Sequence, residues 1–287
     1  MFKFLFNYSN KEAKLPANRI DQFGYIMRFY WRQVALVSLL TLLFAIPFIA
    51  WMIASNMASS VLYNSYLSAD EETKLQIAEQ IRSQIFVSGL ICVPFVGLLF
   101  VGLSGAAQTM KKFIWREVVD LPSDFWNGVK KHWLGSLIIG CVYALFLTSV
   151  ISSNLFCENV AWSIVGAVIV VFATIWIFYC FFLNVFYVQK LHSLLFNALM
   201  LTILRFPQNL IILLFSCLTL LLFFLPTILA TALCVLINGM IGFGYSILLA
   251  TLNAQSSFDK YINKQSYPEH YKKGLEKAKG LEDNTNV

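Results

Sequence analysis

Charge is scarce in this chain. Asp, Glu, Lys and Arg make up 13% of its 287 residues, against about 25% in a soluble domain. With 59% hydrophobic residues and a mean hydropathy of +0.70, a water-soluble globule is excluded and lipid must cover the apolar surface. Charge is missing above all from the centres of the apolar runs, where no Asp, Glu, Lys, Arg or His falls. Ion-coupled transporters, proton pumps and voltage sensors carry ionisable groups there, so these classes are set aside. His132, His192 and His270 are scattered and form no HExxH or other ligand spacing, so no metal site is expected. The six cysteines, at 92, 141, 157, 180, 217 and 234, contain no CxxC pair. They read as small hydrophobes packing between helices, with a disulfide or metal site as the lesser alternative. A Walker A motif is missing, GMIGFG at 239–244 is not GxGxxG, and GLSG at 102–105 is not the GxSxG elbow. Neither an enzyme nor a bound cofactor is expected. There is no signal-peptide pattern, since Phe4-Leu5-Phe6 is too short an apolar core and Lys11 and Lys14 follow it. The first span is therefore expected to direct insertion.

What is present is a series of apolar runs long enough to cross a hydrocarbon core of about 30 Å, which takes roughly 20 helical residues. The expected fold is all-α and polytopic, with six transmembrane helices and interfacial amphipathic helices on the cytoplasmic side. A segment at 1–33 holds an interfacial helix over DQFGYIMRFYW, whose aromatic residues suit the headgroup zone. The membrane domain covers 34–254, with spans at 34–54, 85–103, 134–151, 160–188 and 210–225 and a sixth within 227–252. Pro47 is a candidate bend near the far end of the first, and Pro94 lies in mid-membrane in the second. The 225–227 turn competes with one longer kinked helix ending near Asn238. After the first span come some thirty polar residues, 55–82, within which a helix is expected from about Ala69 that runs without a break into the second span. Ser68 and Glu71 form its expected capping box, with Leu75, Ala78 and Ile81 turned inward. The span at 160–188 exceeds the bilayer and must tilt or project. Gly97, Gly102 and Gly105 are spaced for close backbone approach. A segment at 255–287 adds one more interfacial helix around Phe258, Tyr261 and Ile262, then a charged tail.

The stretch at 105–133, GAAQTMKKFIWREVVDLPSDFWNGVKKHW, organises the chain. It holds five of the twenty-one Lys and Arg. Lys111, Lys112 and Arg116 stop the second span. Ser123 is the expected N-cap of a new short helix, with Asp124 in its first turn and Lys130 and Lys131 late. Phe125, Trp126, Val129 and Trp133 form its apolar side. Asp124, Phe125, Trp126, Lys130 and Trp133 are the candidate contact residues, toward either the membrane surface or a partner protein. Glu117, Asp120 and Asp124 read as caps and counterions rather than an acid–base pair.

With six spans, both termini share a side. That side carries nineteen Lys and Arg, and the other carries only Lys74 and Arg82 beside Asp70, Glu71, Glu72, Glu79 and Glu158. The positive-inside rule then places both termini in the cytoplasm. This basic excess matches topology and anionic lipid, and no nucleic acid need be invoked. DQFGYIMRFYW, SDFWNGVKKHW and LLFNALMLTILRF precede the first, third and fifth spans. They suggest three helix-plus-hairpin units, with chance likeness among aromatic-rich interfacial segments as the alternative.

Four places in this order resemble the YesL-like family of bacterial membrane proteins: FKFLFNYSN, then GLSGAAQTMKKFIWRE with SDFWNGVKKHW, then LLFNALMLTILRFPQNLIILL, then FDKYINKQSYPEHY. The resemblance implies a bacterial cytoplasmic membrane location and an accessory role beside carbohydrate ABC importers, and it carries over no catalytic residues. A channel or transporter for an uncharged solute is the competing expectation, with Asn184, Asn238, Thr148, Ser149 and Ser152 along a polar path. A lipid-modifying enzyme ranks last, because no nucleophile–base pair is found.

Overall fold

Long apolar runs give long helices, because a backbone in lipid must satisfy its own hydrogen bonds. A computed structural model of the chain describes residues 16–156, 160–217 and 228–275. Its described elements are helices and turns: α1 (Arg19–Ser68), α2 (Glu71–Trp115), α3 (Leu121–Phe156), α4 (Val160–Phe186), α5 (Leu191–Leu204), α6 (Phe206–Cys217), α7 (Ile228–Ile237), α8 (Phe243–Phe258) and α9 (Lys264–Ser266). Two π-helical turns, Asn238–Gly242 and Asp259–Asn263, join α7, α8 and α9 into one continuous rod. The chain is an all-α, multi-pass membrane protein. Five of these rods are long and apolar enough to cross a bilayer, and the bent pair α5 and α6 makes a sixth if counted as one span. In the most apolar stretch of each rod only 17–39% of residues are buried. The outward faces, carrying residues such as Leu43, Val142, Val168 and Leu214, therefore have only lipid to cover them.

The helices are longer than the expected spans. At 1.5 Å per residue, the 50 residues of α1 far exceed a hydrocarbon core of about 30 Å. No break separates the segment at 1–33 from the first span: residues 19–68 are one helix, kinked only at Tyr30 (φ −123°, ψ 15°). Pro47 stays helical, as neighbouring packing allows in a membrane. The polar stretch after the first span continues α1 to Ser68 instead of unwinding. The expected Ser68–Glu71 capping box does not form. Asp70 caps α2 by accepting from the Thr73 amide, while the Ser68 hydroxyl donates back to the Asn64 carbonyl. Leu75 is 74% exposed rather than turned inward. Likewise nothing interrupts the helix at 254/255. Gln255, Phe258, Asp259 and Asn263 continue α8 as buried parts of the bundle, not as a separate interfacial helix. The turn at 225–227, the outer part of the fifth span, the Cys157–Glu158 turn, the first fifteen residues and the charged tail lie outside the described residues.

Consecutive helices α1 to α4 pack side by side, and α8 closes onto α1 and α2. Glycines set the α2–α3 distance. A Cβ on Gly140 would meet the Gly97 Cα at 2.9 Å, and one on Gly128 would meet the Gly105 Cα at 3.0 Å. Both glycine pairs thus bring the two backbones into contact, as expected for 97 and 105. Gly244, just after the first π-turn, has a similar effect, since a Cβ there would run into the Val34 carbonyl of α1. The Gly244 amide in α8 donates to Ser38 Oγ of α1 at 2.6 Å, fixing the α1–α8 seam. The largest fully buried side chains, among them Tyr179, Phe125, Phe182, Phe258 and Ile114, lie toward the end where α2 and α4 finish and α3 begins. This end also carries most of the basic residues.

Candidate functional site

At the basic end, α3 starts at Leu121, two residues earlier than expected, and runs to Phe156 without a break before the span. Ser123 is not its cap. Asp124 Oδ2 accepts from the Asp120 amide at 2.9 Å, and Asp124 Oδ1 pairs with Lys112 Nζ of α2. Asp124 therefore ties α3 to α2 and is 6% exposed. Phe125 is fully buried. Its carbonyl would be 2.7 Å from a Cβ on Gly105, and its ring lies 6.1 Å from Phe44 of α1. These two candidates build the end of the bundle and offer no contact surface. Trp126, Lys130 and Trp133 follow at i, i+4 and i+7 on one helical face, with the indoles 45% and 52% exposed and Lys130 exposed. Trp126 rests against Phe44 at 5.9 Å, so its ring is held in place rather than swinging free. The expected site thus splits into two buried anchors and a three-residue presented row.

Sequence reasoning missed a polar knot at the same end of the bundle. Arg19, at the start of α1, donates through Nε and Nη2 to Asp259 Oδ2 at 3.1 and 2.6 Å. Their side chains are only 9% and 10% exposed. Asp259 Oδ1 accepts from Gln255 Nε2, Asn263 Nδ2 and the Lys272 amide. Arg19 Nη1 is shared between Gln22 Oε1 and the Lys273 carbonyl, and Gln22 Nε2 donates to the Ile114 carbonyl. One carboxylate thereby joins α1, α8 and the 267–275 segment, while Gln22 ties them to α2. The i, i+4, i+8 spacing of Gln255, Asp259 and Asn263 was the available signal, hidden by the polar composition around it.

Next to the knot the C-terminal segment folds back over Trp115. His270 stacks on Trp115 at 4.6 Å and lies parallel to Tyr267 at 5.9 Å. Lys111 and Lys273 place their ammonium groups 4.5 and 4.4 Å from the Trp115 ring centroid, and Lys273 also pairs with Glu117 at 2.7 Å. Burial pushes the His270 pKa down from its ordinary value. Glu269 and Glu117 work against that shift, while Lys111 and Lys273 add to it. Gly274 makes the docking possible. Its φ of +85° suits glycine alone, and a Cβ there would run into the Ile114 carbonyl.

The residues expected along a solute path do not converge. Thr148 packs on Gly89 and Asn184 on Gly135, the Ser149 hydroxyl folds back onto the Leu145 carbonyl, and Ser152 is buried. Asn238 borders a cavity inside the bundle, a space of ≈ 270 Å³. Among the described residues, no group of three His, Cys, Asp or Glu is placed to hold a metal ion. Compared with models of protein families, with curated proteins and with solved structures, the chain matches none.

Proposed function

We propose that this chain is a non-catalytic, YesL-like accessory protein of a carbohydrate ABC importer in the bacterial cytoplasmic membrane, with both termini in the cytoplasm. The four-part resemblance supports the family and the importer. The nineteen-to-two distribution of Lys and Arg supports the orientation. The observation that carries the partner reading is the Trp126–Lys130–Trp133 row. Two large indoles are fixed in the open around a cation, at the end of the bundle where the basic residues gather. Tryptophan and basic side chains of this kind anchor protein interfaces and also suit lipid headgroups. A photo-crosslinking amino acid at position 126, 130 or 133, activated in native membranes, separates the two. Adducts to a sugar-importer subunit are expected from at least one position. Lipid adducts alone at all three would end the partner reading. A C-terminal fluorescent-protein fusion that stays dark would overturn the orientation.

Passage of an uncharged solute is the second reading, drawing on the cavity beside Asn238. Proteoliposomes that show no sugar or polyol flux would end it.

A further inference from the structure

A larger hollow opens at the basic end of the bundle. It measures ≈ 620 Å³ and lies between the start of α1, α6, α8 and the 267–275 segment, within the range of about 300–1,000 Å³ usual for ligand sites. Its lining changes character with depth, and each helix repeats the change. On α1, Asn18 and Arg19 come first and Phe23 lies a turn further in. On α6, Gln208 precedes Ile212. On α8, which runs the other way, Leu249 and Leu252 lie inside, Ser256 follows, and Asp259 and Lys260 reach the rim. Phe23, Ile212 and Leu249 are half-buried. Ile20, at the mouth, is 84% exposed, so the apolar part of the groove opens toward lipid.

The rim is cationic. Asp259 is offset by Arg19, and its other oxygen is taken by Gln255, Asn263 and the Lys272 amide. Among the described residues the lining has no other acid. Lys260 and Lys272 are exposed, and among the described residues neither pairs with a carboxylate. Their ammonium groups lie 5.1 and 5.4 Å from the rings of Tyr261 and Tyr271, contacts that leave the charge in place. Lys272 has a φ of +52°, a left-handed conformation uncommon outside glycine, and the bond from its amide to Asp259 Oδ1 holds it there. The buried knot thus fixes one of the two rim cations.

We infer that this groove seats an anionic glycerophospholipid of the adjoining leaflet. The phosphate lies between the Lys260 and Lys272 ammonium groups. The upper part of one acyl chain runs along Phe23, Ile212 and Leu249, and the rest stays in the bilayer. Basic pockets between transmembrane helices recognise anionic headgroups in this way. A zwitterionic lipid brings a cation of its own to a rim that already holds two, and a soluble phosphate leaves the apolar floor uncovered. The inference stands on a chain that crosses a bilayer. It needs neither the importer nor the α3 row, so either reading can fail without the other.

The test uses the full chain in maltoside micelles and a phosphatidylglycerol probe with a diazirine near the top of one acyl chain. Saturable adducts are expected on peptides containing Ile20–Phe23 and Leu249–Leu252. Unlabelled phosphatidylglycerol should displace the probe at least tenfold more effectively than phosphatidylcholine with the same chains. Lys260→Gln and Lys272→Asn, the second chosen because asparagine tolerates the left-handed backbone, should each weaken phosphatidylglycerol binding roughly fivefold, the equivalent of about 1 kcal/mol per cation. Together they should bring the two lipids level. Lys190→Gln with Lys264→Gln removes as much exposed charge from outside the lining and should leave the preference intact. An equal loss there would show diffuse attraction and overturn the site. Equal displacement by the two lipids in the unmodified protein would overturn the assigned chemistry, whatever the variants do. Labelling spread over lipid-facing residues such as Val142, Val168 and Leu214 would overturn the groove. Displacement by glycerol 3-phosphate as effective as by phosphatidylglycerol would replace the lipid with a soluble phosphate. Adducts that appear only after removal of residues 1–14 or 276–287 would show that the chain's own end covers the groove, and would likewise end the lipid assignment.

Discussion

Replacing Asp259 with Asn keeps the shape of the side chain and an oxygen for Gln255, Asn263 and the Lys272 amide. What it removes is the charge facing Arg19. The guanidinium, 9% exposed, then has no anion within its shell. Breaking a buried pair from one side costs about 3–5 kcal/mol, because the remaining charge stays desolvated, whereas removing both charges is far less damaging. Asp259→Asn and Arg19→Met should therefore each destabilise the bundle by about 3–5 kcal/mol. The double variant should lose well under the sum, with a coupling of about 2 kcal/mol or more. The measurement is unfolding by sodium dodecyl sulfate titration in mixed micelles, followed by circular dichroism and Trp fluorescence. An exposed ion pair contributes only about 0–1 kcal/mol, and independent sites add to within about 0.5 kcal/mol. Small single-variant losses, or additive ones, would show that the pair is solvated and that the knot does not join the two ends of the chain.

The division of the α3 residues into anchors and a presented row makes a second prediction. Phe125→Ala, at a fully buried ring, should cost about 3–5 kcal/mol; Trp126→Ala with Trp133→Ala should change stability much less but abolish the partner crosslinks. Gly105→Leu places a Cβ 2.7 Å from the Phe125 carbonyl, which cannot rotate away, so α2 and α3 must separate. Disulfide trapping of a Gly97→Cys variant with the native Cys141, whose Sγ lies 2.6 Å from a Cβ at 97, should then become inefficient. Docking of the 267–275 segment should weaken in acid. The His270 pKa is lower in the docked state than the 6.5 of a free imidazole, so protonation favours release. Docking is fully present above that value and is lost as pH falls below it. Amide exchange in 267–275, corrected for intrinsic rates, should rise between pH 7.5 and pH 5.5, and His270→Phe should flatten the response. Gly274→Ala should release the segment at any pH, read as faster proteolysis.

Hydropathy located the rods because a span is set by one requirement, lipid on the outside, and a single sequence records it. The bend ahead of the fifth span had a signal in Phe206-Pro207: Arg205 closes α5, these two residues open α6, and the two helices meet at 92°. Helix ends were harder to read. The polar residues 55–68 and 255–266 looked like breaks because composition changes there, yet the backbone does not. A helix projecting into water stays a helix when its partner does too, and α1 and α2 extend together. The third repeat unit departs from the other two by the 92° break, where α1 is only kinked and α3 is unbroken. The knot was illegible for another reason. Arg19 and Asp259 are 240 positions apart, and each sits in a segment whose composition reads as surface.

That pairing changes what the charge asymmetry means. Topology counts every Lys and Arg alike, but the structure puts them to different uses. Arg19 is consumed by Asp259, Lys112 by Asp124, and Lys273 by Glu117 and the Trp115 ring. Arg116 rests on Tyr25 and donates to its hydroxyl. Arg205 reaches the Ser256 and Ser257 hydroxyls across the α5–α6 bend. The three paired with carboxylates fasten helix ends to each other and have their charge offset, whereas Arg116 and Arg205, bonded to neutral hydroxyls, keep theirs. Exposed cations at this end include Arg28 and Arg32 beside the exposed Trp31 of α1 as well as Lys130 and Lys131 beside Trp126 and Trp133 of α3. A partner docking on the α3 face would meet the two indoles and the two lysines together. Neutralising Lys130 and Lys131 together should weaken its binding far more than neutralising Arg19 or Lys112, whose loss should instead register as instability.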